Sequence, residues 1–190
     1  MTTHTQQITT RLRTIEGHIR GVQRMVEADA YCIDIIKQTQ AVERAIDKFN
    51  SLVLAEYLTS DVTAAIRSDQ LPERERVVTS LLEVFHGPAE ATPQPTPPDA
   101  SERTAQRVAW LQQIEAQVRE VQQLVTTDAD RVAIIARAKG IRRMLDAFNR
   151  RILKDHLNGC VTAAIRNDQP AERERMLAEL LQVFDTTSAL

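Results

Sequence analysis

Apolar residues Ile8, Leu12, Ile15, Ile19, Val22 and Val26 recur at three- and four-residue steps, the spacing of one face of an α-helix. The stretch from about Tyr31 to about Arg67 then runs without proline or glycine. Within it Ile35, Val42, Ile46, Phe49, Val53 and Leu58 give a second, longer helix its buried face. Pro72 stands near the start of a shorter third segment, PERERVVTSLLEVFH, where its missing N–H costs nothing. No segment alternates convincingly at period two, so the pattern predicts an all-α fold.

The pattern occurs twice. VTAAIRSDQ in the first half returns as VTAAIRNDQ in the second, and an offset of 99 aligns the halves without a gap from Arg11/Trp110 to Phe85/Phe184. Between them GPAEATPQPTPPDASE, residues 87–102, holds five of the seven prolines and reads as an extended linker. The expected organisation is therefore one three-helix unit over residues 1–86, the linker, and a second unit over 103–190. Packing the long helices antiparallel in a bundle buries their stripes.

Composition narrows the setting. Apolar residues make up 43%, aromatic residues 4% and charged residues 26%, the balance of a helical protein with an aliphatic core. The net charge of −2 creates no global basic field, so any nucleic-acid contact must use local patches. No apolar run is long enough to span a membrane and the start, MTTHTQQ, is polar, so a cytoplasmic protein is expected. Two cysteines in such a compartment are expected as thiols. There is no nucleophile–base arrangement and no phosphate-cradling glycine loop, so no enzyme is expected.

Reactive residues break the repeat. His156 and Cys160, in DHLNGCV, are four apart and on an α-helix share one face; the first copy has EYLTSDV there, with Tyr57 and Asp61. The other cysteine, Cys32, lies at the opposite end of the first copy's long helix, and its equivalent is Arg131. Positions 32 and 61 are 29 residues apart, roughly 44 Å along one helix, so no single copy builds a site. Antiparallel pairing of the two long helices gathers Cys32, His156 and Cys160 at one end. It gathers Arg131, Tyr57 and Asp61 at the other, with a salt bridge between Arg131 and Asp61 and Tyr57 within hydrogen-bonding reach. Two thiolates and an imidazole suit Cu(I), and less well Zn(II), which favours four ligands in structural sites.

The run RLRTIEGHIRGVQRMVEADAYCIDIIKQTQAVERAIDKF together with DHLNGCV closely resembles the CsoR/RcnR family of bacterial metal-sensing repressors, and the resemblance covers both copies. In the copper-sensing branch of that family, ligands from two subunits bind Cu(I). The resemblance therefore implies Cys32, His156 and Cys160 as metal ligands, with Tyr31 and Glu179 supporting them from behind. Their repeat equivalents are Asp130 and Ser80. The Ni(II)/Co(II) branch carries a histidine where Cys160 stands and a further N-terminal histidine, an alternative that His4 keeps open. Branches sensing formaldehyde or sulfane sulfur leave open a thiol sensor using Cys32 and Cys160, and a copper-binding buffer without operator binding is a third reading.

The resemblance also implies operator DNA as partner, bound through basic helix faces, and two chains assembling where the family uses four. Arg11, Arg13 and Lys48 match its basic positions, while the second copy offers Arg142, Arg143 and Arg150 among the basic residues of its long helix. Each alone is most simply a solvated helix residue; together they can supply phosphate contacts.

Overall fold

The computed structural model describes residues 3–68, 70–86, 100–163 and 170–185. Its helices are α1 (Thr3–Glu27), α2 (Cys32–Tyr57), α3 (Thr63–Arg67), α4 (Leu71–His86), α5 (Ala100–Thr126), α6 (Arg131–His156) and α7 (Pro170–Asp185). Most of the inferred linker lies outside the described residues, but its last three positions, 100–102, already belong to α5. Among the described residues there is no strand.

The four long helices form one bundle, α1 against α5, α2 against α6, and each hairpin packed on itself. Residues 99 apart occupy equivalent core places: Leu12 and Leu111, Ile15 and Ile114, and Phe49 and Phe148 are all fully buried. The short turns match as well. Asp29 and Asp128 both adopt a left-handed conformation, φ 51° and 52°. In each, the next residue's N–H reaches back to the helix end, Ala30 to Met25 O and Ala129 to Leu124 O at 2.9 Å, the closing bond of a Schellman motif.

An ionic network repeats the symmetry on the α1–α5 face. Arg20 Nε meets Glu115 Oε1 at 2.7 Å and Arg119 Nε meets Glu16 Oε1 at 3.0 Å. Gln23 donates to Glu115 and Gln122 to Glu16. The bond from Gln122 leads in holding Glu16 below the ordinary carboxylate range. Burial pushes Glu115 up, and its bonds from Arg20, Gln23 and Arg119 overcome that and leave it lowered. The third helices cross over: α4 packs on α6 and α7 on α2, where Gln40 Nε2 donates to Val183 O at 3.2 Å.

Each long helix ends in a π-helical turn, Leu58–Val62 after α2 and Leu157–Val161 after α6. A π turn holds one residue more than an α turn, which offsets everything beyond it by about one residue's rotation, ~100°. The buried stripe records this, passing from Tyr57 to Val62 and from His156 to Val161 in steps of five. Leu58, expected on the buried face, is 41% exposed, because the four-residue step from Phe49 and Val53 leads to Tyr57 instead.

Candidate metal centre

Antiparallel pairing of α2 with α6 brings the start of one helix to the end of the other. Cys32 is the first residue of α2 and His156 the last of α6, and Cys32 Sγ lies 2.7 Å from His156 Nδ1. His156 is 2% exposed and its Nε2 is buried with no hydrogen-bond partner. Burial holds the imidazole below its ordinary pKa, with Glu179 acting in the opposite sense. Burial, and then electrostatic repulsion from nearby Cys160, push the Cys32 thiol up to about 11. At neutral pH the contact therefore joins two uncharged groups, a thiol and an imidazole.

The supporting residues converge on the same corner. Tyr31 directly precedes α2, its ring edge-on to His156 with centroids 5.8 Å apart. The Tyr31 hydroxyl donates to Glu179 Oε2 on α7, and Glu179 also receives Arg175 Nη1 at 3.4 Å. Burial, reinforced by Glu179, raises the tyrosine pKa far above its ordinary value. Glu179 makes no hydrogen bond to His156 in this arrangement, since the histidine's second nitrogen has no partner.

Cys160 stands four residues after His156, close enough to Cys32 to raise that thiol's pKa. It lies in the π turn and is exposed, whereas an α-helical i, i+4 pair shares a face. Among the described residues no cluster of three or more His, Cys, Asp and Glu side chains is placed to hold a metal ion. The extra residue of the turn presents Val161 to the core and leaves Cys160 exposed, although at the equivalent place in the other turn Asp61 is reached by the long Arg131 side chain.

The opposite end carries charge. Arg131 Nη1 meets Asp61 Oδ2 at 3.1 Å, as the sequence pattern anticipates, and Arg131 Nη2 meets Glu56 Oε1 at 3.2 Å. Burial lowers the pKa of Arg131, and the bond it donates to Glu56 and the charge of Asp61 more than reverse it. Tyr57 does not join the pair. It is 2% exposed, the core counterpart of His156, and its buried hydroxyl has no hydrogen-bond partner of good geometry. Asp130, the equivalent of Tyr31, caps α6 by accepting from Ala133 N.

Sequence reasoning missed Glu56 and its equivalent Asp155, which receives Arg107 at 2.9 Å and Arg151 at 3.3 Å. The signal was available, since an acid stands at position 56 and again 99 residues later.

The basic residues divide into two groups. Arg11, Arg13 and Lys48 are exposed. Arg142 Nε is held by Asp47 Oδ1 at 2.8 Å and Arg150 by Asp146, whereas Arg143 lines an open groove beside Lys139, Asp47 and Asn50. Nearby Glu43 accepts from Asn149, and burial raises its pKa to about 7 against the opposing charge of Arg142. The side chain of His4 lies outside the described residues.

The family model described as "Metal-sensitive transcriptional repressor" matches residues 4–86 and again 104–186. The chain belongs to this metal-sensitive repressor family. It is 42% identical over 79 residues to the copper-sensing transcriptional repressor CsoR of Bacillus subtilis (strain 168), covering 42% of this chain and 75% of that relative. It is 39% identical over 56 residues to CsoR of Mycobacterium bovis (strain BCG / Pasteur 1173P2), covering 30% of this chain and 47% of the relative. With RicR, a copper-sensing transcriptional repressor of Mycobacterium tuberculosis (strain ATCC 25618 / H37Rv), it shares 45% over 56 residues, 30% of this chain and 58% of the relative. No solved structure matches. Two consecutive family matches account for the internal repeat, and no described helix is long and apolar enough to cross a membrane.

Proposed function

We propose that this repressor family member is a Cu(I)-responsive operator-binding protein in which one chain takes the place of a dimer. Its single composite site draws Cys32 from the first repeat and His156 and Cys160 from the second. The observation that carries the reading is the Cys32–His156 contact, a soft donor pair brought together from opposite repeats. Cu(I), when bound, supplies a centre that draws two thiolates and one imidazole into a single coordination shell.

The residues around the pair do the remaining work. Use of His156 Nδ1 as a ligand requires its proton on Nε2, the nitrogen now buried without a partner. Glu179 is the neighbouring carboxylate able to accept that N–H, by turning from the Tyr31 hydroxyl. Because Glu179 belongs to α7, a change at the site is felt by a helix packed on the other repeat.

Arg11, Arg13, Lys48 and Arg143 provide the phosphate contacts in this reading; Arg142 and Arg150 contribute only by releasing Asp47 and Asp146. Self-association of two chains uses the third helices, where Val78 and Leu82 on α4 and their equivalents Leu177 and Leu181 on α7 are exposed.

Operator binding measured with and without Cu(I) tests the reading. The expected result is salt-dependent binding to the DNA upstream of its own gene, weakened by Cu(I) through a coupling of about 1–3 kcal/mol. Equal affinity in both conditions contradicts it. Mixing the Cys32→Ser chain with the Cys160→Ser chain should restore no Cu(I) binding, because the two repeats pair within one chain; recovery would mean that sites form between chains.

A further inference from the structure

The π turn that carries Cys160 has a twin at the other end of the bundle, and the two are held differently. In the first copy Thr59 Oγ1 donates to Ala55 O at 2.9 Å, Ser60 Oγ to Glu56 O at 2.7 Å and Thr63 Oγ1 to Leu58 O at 2.9 Å. In the second copy Thr162 Oγ1 donates to Leu157 O at 2.8 Å, the same five-residue span as Thr63 to Leu58. Asn158 and Gly159 stand where Thr59 and Ser60 do and carry no hydroxyl. A Cβ built at Gly159 meets nothing within 4 Å and its φ is not positive, so neither space nor backbone conformation demands glycine there. What glycine does supply is backbone freedom.

The two registers of this turn bury different residues. In the π register Val161 is buried against Met176 and Leu180 of α7, and Cys160 faces solvent. Removing the extra residue from the turn, so that α-helical bonding continues past His156, rotates Cys160 back by about one residue step, onto the face of His156 and toward Cys32. The same rotation takes Val161 away from Met176 and Leu180.

We propose that Leu157–Val161 is a two-register joint and that Thr162 is the positioning residue that holds it in the π register. Recruiting Cys160 into the site then costs the Val161 contact with α7, which joins ligand binding to the third helix. The matching turn in the first copy, with its additional hydroxyl bonds and no cysteine, stays fixed. This deepens the Cu(I) reading and rests on it for the identity of the ligand, but the joint itself is tested without metal.

The test is the equilibrium constant for closing a Cys32–Cys160 disulfide in a buffer of reduced and oxidised glutathione, with metal excluded. One molecule of oxidised glutathione is reduced to two of glutathione as the two thiols lose their protons and join. The constant scales with the fraction of chains in which Cys160 reaches Cys32. Thr162→Val removes the hydroxyl at nearly constant shape and should raise it about fivefold, the worth of one hydrogen bond. The doubly substituted Asn158→Thr, Gly159→Ser chain, which copies the first repeat, should lower it severalfold, and Thr63→Val should leave it unchanged.

Cu(I) affinity should follow the same order, because a site formed in only part of the population binds in proportion to that part. Equal constants for Thr162→Val and the unsubstituted chain, or no disulfide in any chain, would overturn the joint. Shifted disulfide constants in a chain that binds no Cu(I) would sink the copper reading and leave the joint standing. Cu(I) binding with unshifted constants would do the reverse.

Discussion

The two ends of the α2–α6 pair are built on one backbone plan and closed by opposite chemistry. At one end a neutral thiol and a neutral imidazole touch, with an orphaned nitrogen behind them and an exposed cysteine beside them. At the other a guanidinium is clasped by two carboxylates. Each end buries one polar atom without a good partner, the Tyr57 hydroxyl and His156 Nε2, but the ionic end has its charges paired within the chain whereas the Cys/His end leaves a thiol exposed. Duplication within one chain makes this division possible, because the two ends can then diverge independently. A symmetric dimer of identical subunits has to keep both ends alike.

Ligand removal should separate the ends most sharply. Cys32→Ser or Cys160→Ser should abolish tight Cu(I) binding, measured by anaerobic competition with a chelator of known affinity, while Arg131→Ala leaves it nearly unchanged. Loss of binding in Arg131→Ala at full helicity would erase the distinction. Uncharged closure at the Cys32 end is open to a second measurement. In the Cys160→Ser chain, burial still holds the Cys32 thiol above its ordinary pKa and leaves less thiolate at neutral pH than a free cysteine has. Its alkylation should therefore be slow at pH 7 and still be climbing above about pH 8.5, where an ordinary thiol is levelling off. A plateau near pH 8.5 would show an ordinary thiol.

The groups behind the ligands should matter less. Glu179→Gln is expected to cost roughly 10–100-fold in Cu(I) affinity, as for other residues that orient a metal-bound histidine. Ser80, its equivalent, should be replaceable by Ala with no effect on Cu(I).

At the ionic end Arg131→Ala should cost about 1–2 kcal/mol in thermal or denaturant unfolding, between the values for exposed and for buried pairs. The partners' side chains are 26%, 23% and 36% exposed, which places them in that middle range. A double-mutant cycle with Asp61→Ala should show positive coupling; none would mean the pair is merely adjacent. The smallest effect belongs to Tyr57→Phe, which deletes a buried hydroxyl without a good partner and should change stability by no more than ~0.5 kcal/mol.

Much of this arrangement was legible in the sequence, and the part that was not has one cause. Apolar spacing fixed the helices, the offset of 99 fixed the repeat, and antiparallel packing placed Cys32 beside His156 and Arg131 beside Asp61. Each of those inferences assumes an unbroken α-helix; they survive because their residues lie before the π turns or, for Asp61 inside one, because the long Arg131 side chain reaches it. Cys160 lies within a turn, where the four-residue spacing from His156 no longer fixes the face it shares. The five-residue steps Tyr57 to Val62 and His156 to Val161 were the available sign, hidden because Leu58 offered an apolar residue nearby. Glu56 was overlooked for another reason: a charge on a helix surface gives no signal until its partner's position is known.

In the proposed function one end of the bundle binds metal and the other does not. Anaerobic titration of the purified 190-residue chain with Cu(I), against a competing chelator, tests this most directly. One tightly bound Cu(I) per chain is predicted, lost in Cys32→Ser and in Cys160→Ser alike. Two equivalent ions per chain, or one that survives either substitution, would contradict it.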